Sequence, residues 1–147
     1  MPALTGSSLL TAMTMGILLV AFCAARVAEV PPERMRSTLL RSSSAWDGVP
    51  YTDYSKGPPE LSVLKITIPR HSTMKWHTHP MPNAAYIVSG EITVEEPGGK
   101  EKQHSVAGQV VPETVATVHR GVTGDQPVVL IVFYAGVKGM PLAELKP

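Results

Sequence analysis

From Leu61 onward the chain is a series of short, β-branched apolar runs, each cut off by a turn, and this feature leaves little room for anything but an all-β domain. The runs are LSVLKITI (61–68), AAYIVS (84–89), EITVEE (91–96), KQHSV (102–106), QVV (109–111), TVATVH (114–119) and PVVLIVFY (127–134). The breaks carry SG, EPGG, AG and RGVTGD. Short runs of this composition read as strands, and glycine supplies the positive φ that tight turns need. About seven strands with no helix between them imply a sandwich or barrel. Fourteen prolines and twelve glycines in 147 residues agree with many turns and few long helices. The last run, Val128 to Tyr134, is apolar throughout and is expected to be buried on both faces. No internal repeat is present.

Ahead of the strands lie two different textures. Residues 3–25 hold no charged side chain, and Leu9 to Phe22 form an apolar block followed by the small residues of CAAR. Residues 1–25 are read as a signal peptide cleaved after Ala25, which implies a periplasmic or secreted protein. The segment before the block lacks Lys and Arg, whereas Arg26, Arg34, Arg36 and Arg41 follow it. The block is also about long enough for a membrane anchor through residues 9–25, for which that bias would keep the C-terminal domain inside, and a start at Met35 is a third reading. Cys23 is the single cysteine, so no disulfide framework exists. Residues 26–60 form an irregular arm: EVPPERMRSTLLRSSS has room for a helical turn or two, and AWDGVPYTDYSKGPPE is loop by composition. The barrel is expected over 61–140. The arm from Val30 to Glu60 is long for a loop of a monomer. A homodimer is therefore expected in which the arm packs on the partner barrel.

The net charge is +1, and there is no basic cluster, aromatic stacking series or glycine-rich phosphate loop. Nucleic acid is excluded as a partner, and contact with membrane is expected only through the N-terminal segment. A small molecule is the expected ligand. In WHTHPMPN, His77 and His79 are two residues apart, so on a strand both point to one face and both reach one metal ion lying over it. His119, at the end of TVATVH, is the candidate third ligand from another strand. His71, beside a turn, and His104, in a polar strand, fit less well. Glu113 shares strand parity with His119 and is the candidate carboxylate for ligation or acid–base work, provided Pro112 does not shift the register. Lys75 reads as solvated and Arg120 as a turn or surface charge. Trp76 and Tyr86 read as packing or dimer residues facing away from the histidines.

These residues resemble the cupin superfamily of jelly-roll β-barrels. Its first motif has His-x-His, three or four residues, Glu, six residues and Gly; here His77, His79, Asn83 and Gly90 fall in those places. Its second motif begins at Gly108, with Thr114 in the proline place, Ala116 in the glycine place, His119 in the histidine place and Thr123 in the asparagine place. The resemblance covers roughly Leu61 to Tyr134. The stretches WHTHPMPNAAYIVSGEITVE and HRGVTGDQPVVLIVFYAG are similar to small single-domain, type-2-like cupins that often carry a leader. The resemblance implies a divalent metal (Fe, Mn, Ni, Cu or Zn) held by His77, His79 and His119. It departs from the pattern at Asn83, which stands where the family has an acidic ligand and is assigned to the second shell or to substrate contact. Two functional readings stand: a metal-dependent, dioxygenase-like enzyme on a small organic substrate, and a non-catalytic ligand-binding or structural module. Loss of the acidic ligand favours the second.

Overall fold

The computed structural model describes residues 36–99 and 102–147. The proposed leader at 1–25, Cys23 and the first part of the arm lie outside the described residues. Among the described residues the chain forms nine strands and no α-helix: β1 (Pro59–Ile68), β2 (His77–Thr78), β3 (Asn83–Ser89), β4 (Glu91–Glu95), β5 (Lys102–Val106), β6 (Val110–Pro112), β7 (Arg120–Thr123), β8 (Val128–Val137) and β9 (Glu144–Leu145). None of these residues forms a helix long and apolar enough to cross a membrane.

The strands make two layers. One is a four-stranded antiparallel sheet in the order β1-β8-β3-β6. The other begins with β5-β4-β7 and continues through single bridges, Thr73 to Val122 and His77 to His119, into the β2-β9 pair. The alternation seen in the sequence sets which residues meet between the layers. Ala85 and Ile87 of β3, Leu130, Val132 and Tyr134 of β8, and Val111 of β6 point inward from the first sheet. Ile92 of β4 completes this cluster from the second, and Val94 is buried on the same strand. Full burial of each such aliphatic side chain contributes about 1.5–3 kcal/mol. Met81, wholly buried, fills the space beside Gly136.

Several expectations are corrected here. β8 is buried on one face only: Val128, Leu130, Val132 and Tyr134 face in, while Ile131 and Phe133 are about 40% exposed. It is one wall of a two-layer barrel, so burial alternates even though composition does not. TVATVH is not a strand. Ala116 takes a left-handed φ of 63° and turns the chain there. The strand begins one residue past His119 and is RGVT, where the composition predicts a turn. A further short strand, β9, lies beyond residue 140 and pairs with β2. Between residues 36 and 44 the arm holds no helical turn. From Ser43 to Tyr51 the arm makes contacts within its own chain: Ser44 bridges Pro50, Ala45 is buried, and Trp46 N donates to Pro112 O at 2.9 Å.

Ala116 stands in the motif's glycine place, is exposed, and still adopts a conformation that costs an L-residue about 1–2 kcal/mol. Ala116→Gly is expected to raise the unfolding free energy by about 0.5–1 kcal/mol, since relief of that strain outweighs the extra chain entropy of glycine. Urea denaturation of both proteins measures the difference. Lower stability of the variant would show that the turn carries no strain.

Candidate metal centre

The second layer brings the histidines together. His77 and His119 exchange both backbone hydrogen bonds, N to O at 3.0 and 2.9 Å. Residues paired in this way sit directly opposite each other with side chains on one face. His79 is placed by the next contact along, where Ala116 N donates to its carbonyl at 2.9 Å. The turn at Ala116 thus wraps the chain around His79 before returning it to His119. The three rings stand 4.5, 5.0 and 5.1 Å apart, centroid to centroid. Their ligand nitrogens all lie within 4.8 Å of one another. All three side chains are buried.

The tautomers follow from the backbone. His77 Nδ1 lies 2.8 Å from Lys75 O, His79 Nδ1 2.6 Å from Leu142 O, and His119 Nδ1 2.9 Å from Thr117 O. A carbonyl only accepts, so each Nδ1 carries the proton and donates it. The Thr114 hydroxyl, wholly buried, lies 2.8 Å from His119 Nδ1 and itself donates to Thr117 O. Each Nε2 is left as a bare lone pair. This is the arrangement in which imidazoles bind metal, with the far nitrogen oriented by a carbonyl.

The carboxylate lies beside them. Glu113 Oε2 is 3.3 Å from His119 Nε2, and neither atom has a hydrogen-bond partner. Two buried acceptors facing each other need a proton or a cation between them, because each buried unsatisfied polar group costs about 1–3 kcal/mol. Burial pushes the Glu113 carboxyl up to about 7. Burial also pushes His79 and His119 down to about 4, against the opposing pull of the Leu142 and Thr117 carbonyls. Neutral imidazoles and an ionisable carboxyl suit a divalent cation.

Glu113 reaches the site by another route than strand parity. β6 ends at Pro112, and Glu113 N donates to Asn83 O at 3.1 Å. Its carbonyl accepts from the Tyr51 hydroxyl at 2.6 Å, so the arm clamps the backbone that presents the carboxyl. Asn83 is buried at the start of β3; its Nδ2 donates to Met81 O at 3.3 Å, while Oδ1 has no partner. These five side chains line one cavity of about 50 Å³ together with Tyr134, Met74 and a wall of aliphatic residues.

Other candidates lie elsewhere. His71 is exposed, at a left-handed φ of 53° and 3.7 Å from Asp125. His104 is exposed on β5 beside Thr93. Lys75 is exposed, and its carbonyl is what holds His77. Arg120 is a strand residue rather than a turn residue; it stacks 4.2 Å over Trp76 and pairs with Glu95 at 2.6 Å. Tyr134, its ring 5.7 Å from that of His79, escapes sequence reasoning because β8 is apolar on both faces. Parity with Leu130 and Val132 was the signal that pointed to it. Nothing in the sequence marked the Leu142 carbonyl.

The Glu113 carboxyl has a direct consequence in the metal-free protein. Its folded value of about 7 lies above the ordinary 4.5, so between these pH values the folded state holds a proton that the unfolded state has lost. This group therefore contributes stability that falls as pH rises through that window. Glu113→Gln is expected to gain stability relative to the parent steadily from pH 4.5 to 7. A difference between the two that does not change with pH, by denaturation in chelator, would show that Glu113 is not held protonated.

No protein-family model matches the sequence, and no curated protein matches it. Solved structures do match by shape. The DMSP lyase DddQ from Ruegeria pomeroyi superposes with a TM-score of 0.52 at 21% identity, over 67% of this chain and 47% of that one. A cupin-like protein from Thermotoga maritima gives 0.50 at 19% identity, over 58% and 64%. The polyketide cyclase RemF from Streptomyces resistomycificus gives 0.50 at 14% identity, over 60% and 61%. This chain thus spans about half the length of the lyase and under two thirds of the other two. At these identities the likeness speaks for the fold, and the fold is the cupin barrel that the two histidine-bearing segments resemble.

Proposed function

We propose that the chain is a divalent-metal-dependent enzyme acting on a small organic molecule, with His77, His79 and His119 as metal ligands and Glu113 as the group that moves protons. One observation carries the reading. Three imidazoles, each fixed in the Nδ1–H tautomer by a backbone carbonyl, bring their ligand nitrogens within 4.8 Å of one another beside an unpartnered carboxyl. When bound, such an ion acts as a Lewis acid or redox centre for a ligand in its open positions. The remaining work falls to the chain. Carbonyls of Lys75, Thr117 and Leu142 hold the rings, aliphatic walls exclude water, and Glu113, whose Oε2 lies 3.3 Å from His119 Nε2, is placed to give or take a proton of a bound molecule. A DMSP lyase among the structures of similar shape supports catalysis as one use of this barrel.

A non-catalytic metal or ligand module is the second reading, and Asn83 in the acidic place supports it. An amide adds no charge to neutralise the ion. The uncharged apolar segment at 3–25 supports export with cleavage, which would place the protein outside the cytoplasm.

Elemental analysis of untagged protein tests the site. About one divalent ion per chain is expected, with affinity at least 100-fold weaker in His77→Ala and His119→Ala, on the order of the loss expected for a ligand or more. Absence of metal from the parent, even after incubation with iron, manganese, nickel, copper and zinc in turn, would overturn the proposal. Glu113→Gln is expected to keep the ion within about 10-fold and to lower turnover of any substrate found by roughly 100-fold or more. Unchanged turnover would remove Glu113 from the chemistry.

A further inference from the structure

The polar atoms that face the cavity are almost all acceptors. Each imidazole spends its only N–H on a backbone carbonyl outside the cavity. Glu113 Oε2 and Asn83 Oδ1 are buried acceptors without a donor. The orientation of the Asn83 amide is fixed by chemistry: Nδ2 donates to Met81 O, and a flipped amide would set oxygen against oxygen. A cation bound by the histidines satisfies the Nε2 atoms and leaves Asn83 Oδ1 still needing an N–H or O–H. Among the lining residues, Tyr134 alone offers a neutral hydroxyl. No Lys or Arg lines the cavity, and one carboxyl already does. The cavity holds about 50 Å³, roughly three to five water-sized positions at 10–15 Å³ each.

We infer that this site takes a small molecule with at most one negative charge that carries an O–H or N–H donor next to its metal-binding oxygen, and that Asn83 Oδ1 receives that donor. Hydroxy acids and hydroxyketones of about four to six heavy atoms have this chemistry. A dicarboxylate does not, because its second charge would meet Glu113 and no cation. Asn83 is then a specificity residue that touches the ligand, where a carboxylate in its place would bind the ion. This inference rests on the metal-binding reading above.

Cobalt-loaded protein provides a test that needs no turnover, since ligand entry changes the visible absorption of the ion. Glycolate, methoxyacetate and malonate are titrated against the parent and Asn83→Leu. Methoxyacetate keeps the chelating oxygen of glycolate and lacks the donor. The parent is expected to bind glycolate at least 10-fold more tightly than methoxyacetate, about the factor for one buried hydrogen bond. It should prefer glycolate to malonate by a similar factor. In Asn83→Leu the preference of glycolate over methoxyacetate should shrink to under about 3-fold while cobalt affinity holds. Equal binding of glycolate and methoxyacetate by the cobalt-loaded parent, or saturable binding of none of the three, overturns the inference and leaves the metal site standing. An equal preference in parent and variant removes Asn83 from it. A cobalt affinity in Asn83→Leu weaker by 10-fold or more makes Asn83 a ligand of the ion and overturns its assignment. No cobalt uptake by the parent brings down the metal reading and this inference together.

Discussion

Three backbone carbonyls, those of Lys75, Thr117 and Leu142, determine what the interior of this barrel can do. Each takes the Nδ1 proton of one histidine and so decides which nitrogen is left bare. In a water-filled groove the imidazoles would sample both tautomers and protonate near neutrality. Here burial holds His79 and His119 neutral to about pH 4. Nine strands, two layers and an aliphatic core amount, for function, to a frame that holds three carbonyls behind three rings.

The same frame explains how a carboxyl joins them. Asn83 and Glu113 meet through a backbone hydrogen bond, and the arm ties Glu113 down through Tyr51. The tyrosine hydroxyl is itself pushed up to about 12 by burial and by the neighbouring carboxylates, which keeps it a donor. A segment that composition marks only as loop therefore acts as a strap on the barrel, outside the cavity but against the strand that feeds it. Arg120 plays a comparable part on the outer side, clamped between Trp76 and Glu95 immediately after His119.

Much of this was legible in the sequence, and the reason is periodicity. One residue between His77 and His79 is enough to fix a shared face, and the run from Leu61 to Ile68 alternates as a half-buried strand must. His119 is marked by the spacing of the second motif, whereas the strand on which TVATVH would place it does not form. What stayed hidden depends on backbone conformation rather than residue type. Ala116 has no composition that announces a left-handed turn, so TVATVH looked like a strand. Continuous apolar character in β8 hid its exposed outer face and, with it, the inward position of Tyr134. The carbonyl partners are available to any residue and leave no trace in side-chain identity.

The third of those carbonyls belongs to Leu142, beyond β8, and the neighbouring β9 pairs back onto β2 at the histidines themselves. The two halves of this contact are 63 residues apart in the chain. A polypeptide emerging from the ribosome, or threading unfolded through a membrane channel, presents His77 and His79 long before it presents Leu142. Until then His79 lacks the acceptor that sets its tautomer. The centre therefore needs the chain as far as Leu142, and a chain cut short before residue 142 would keep its three histidines with one of them unlocked.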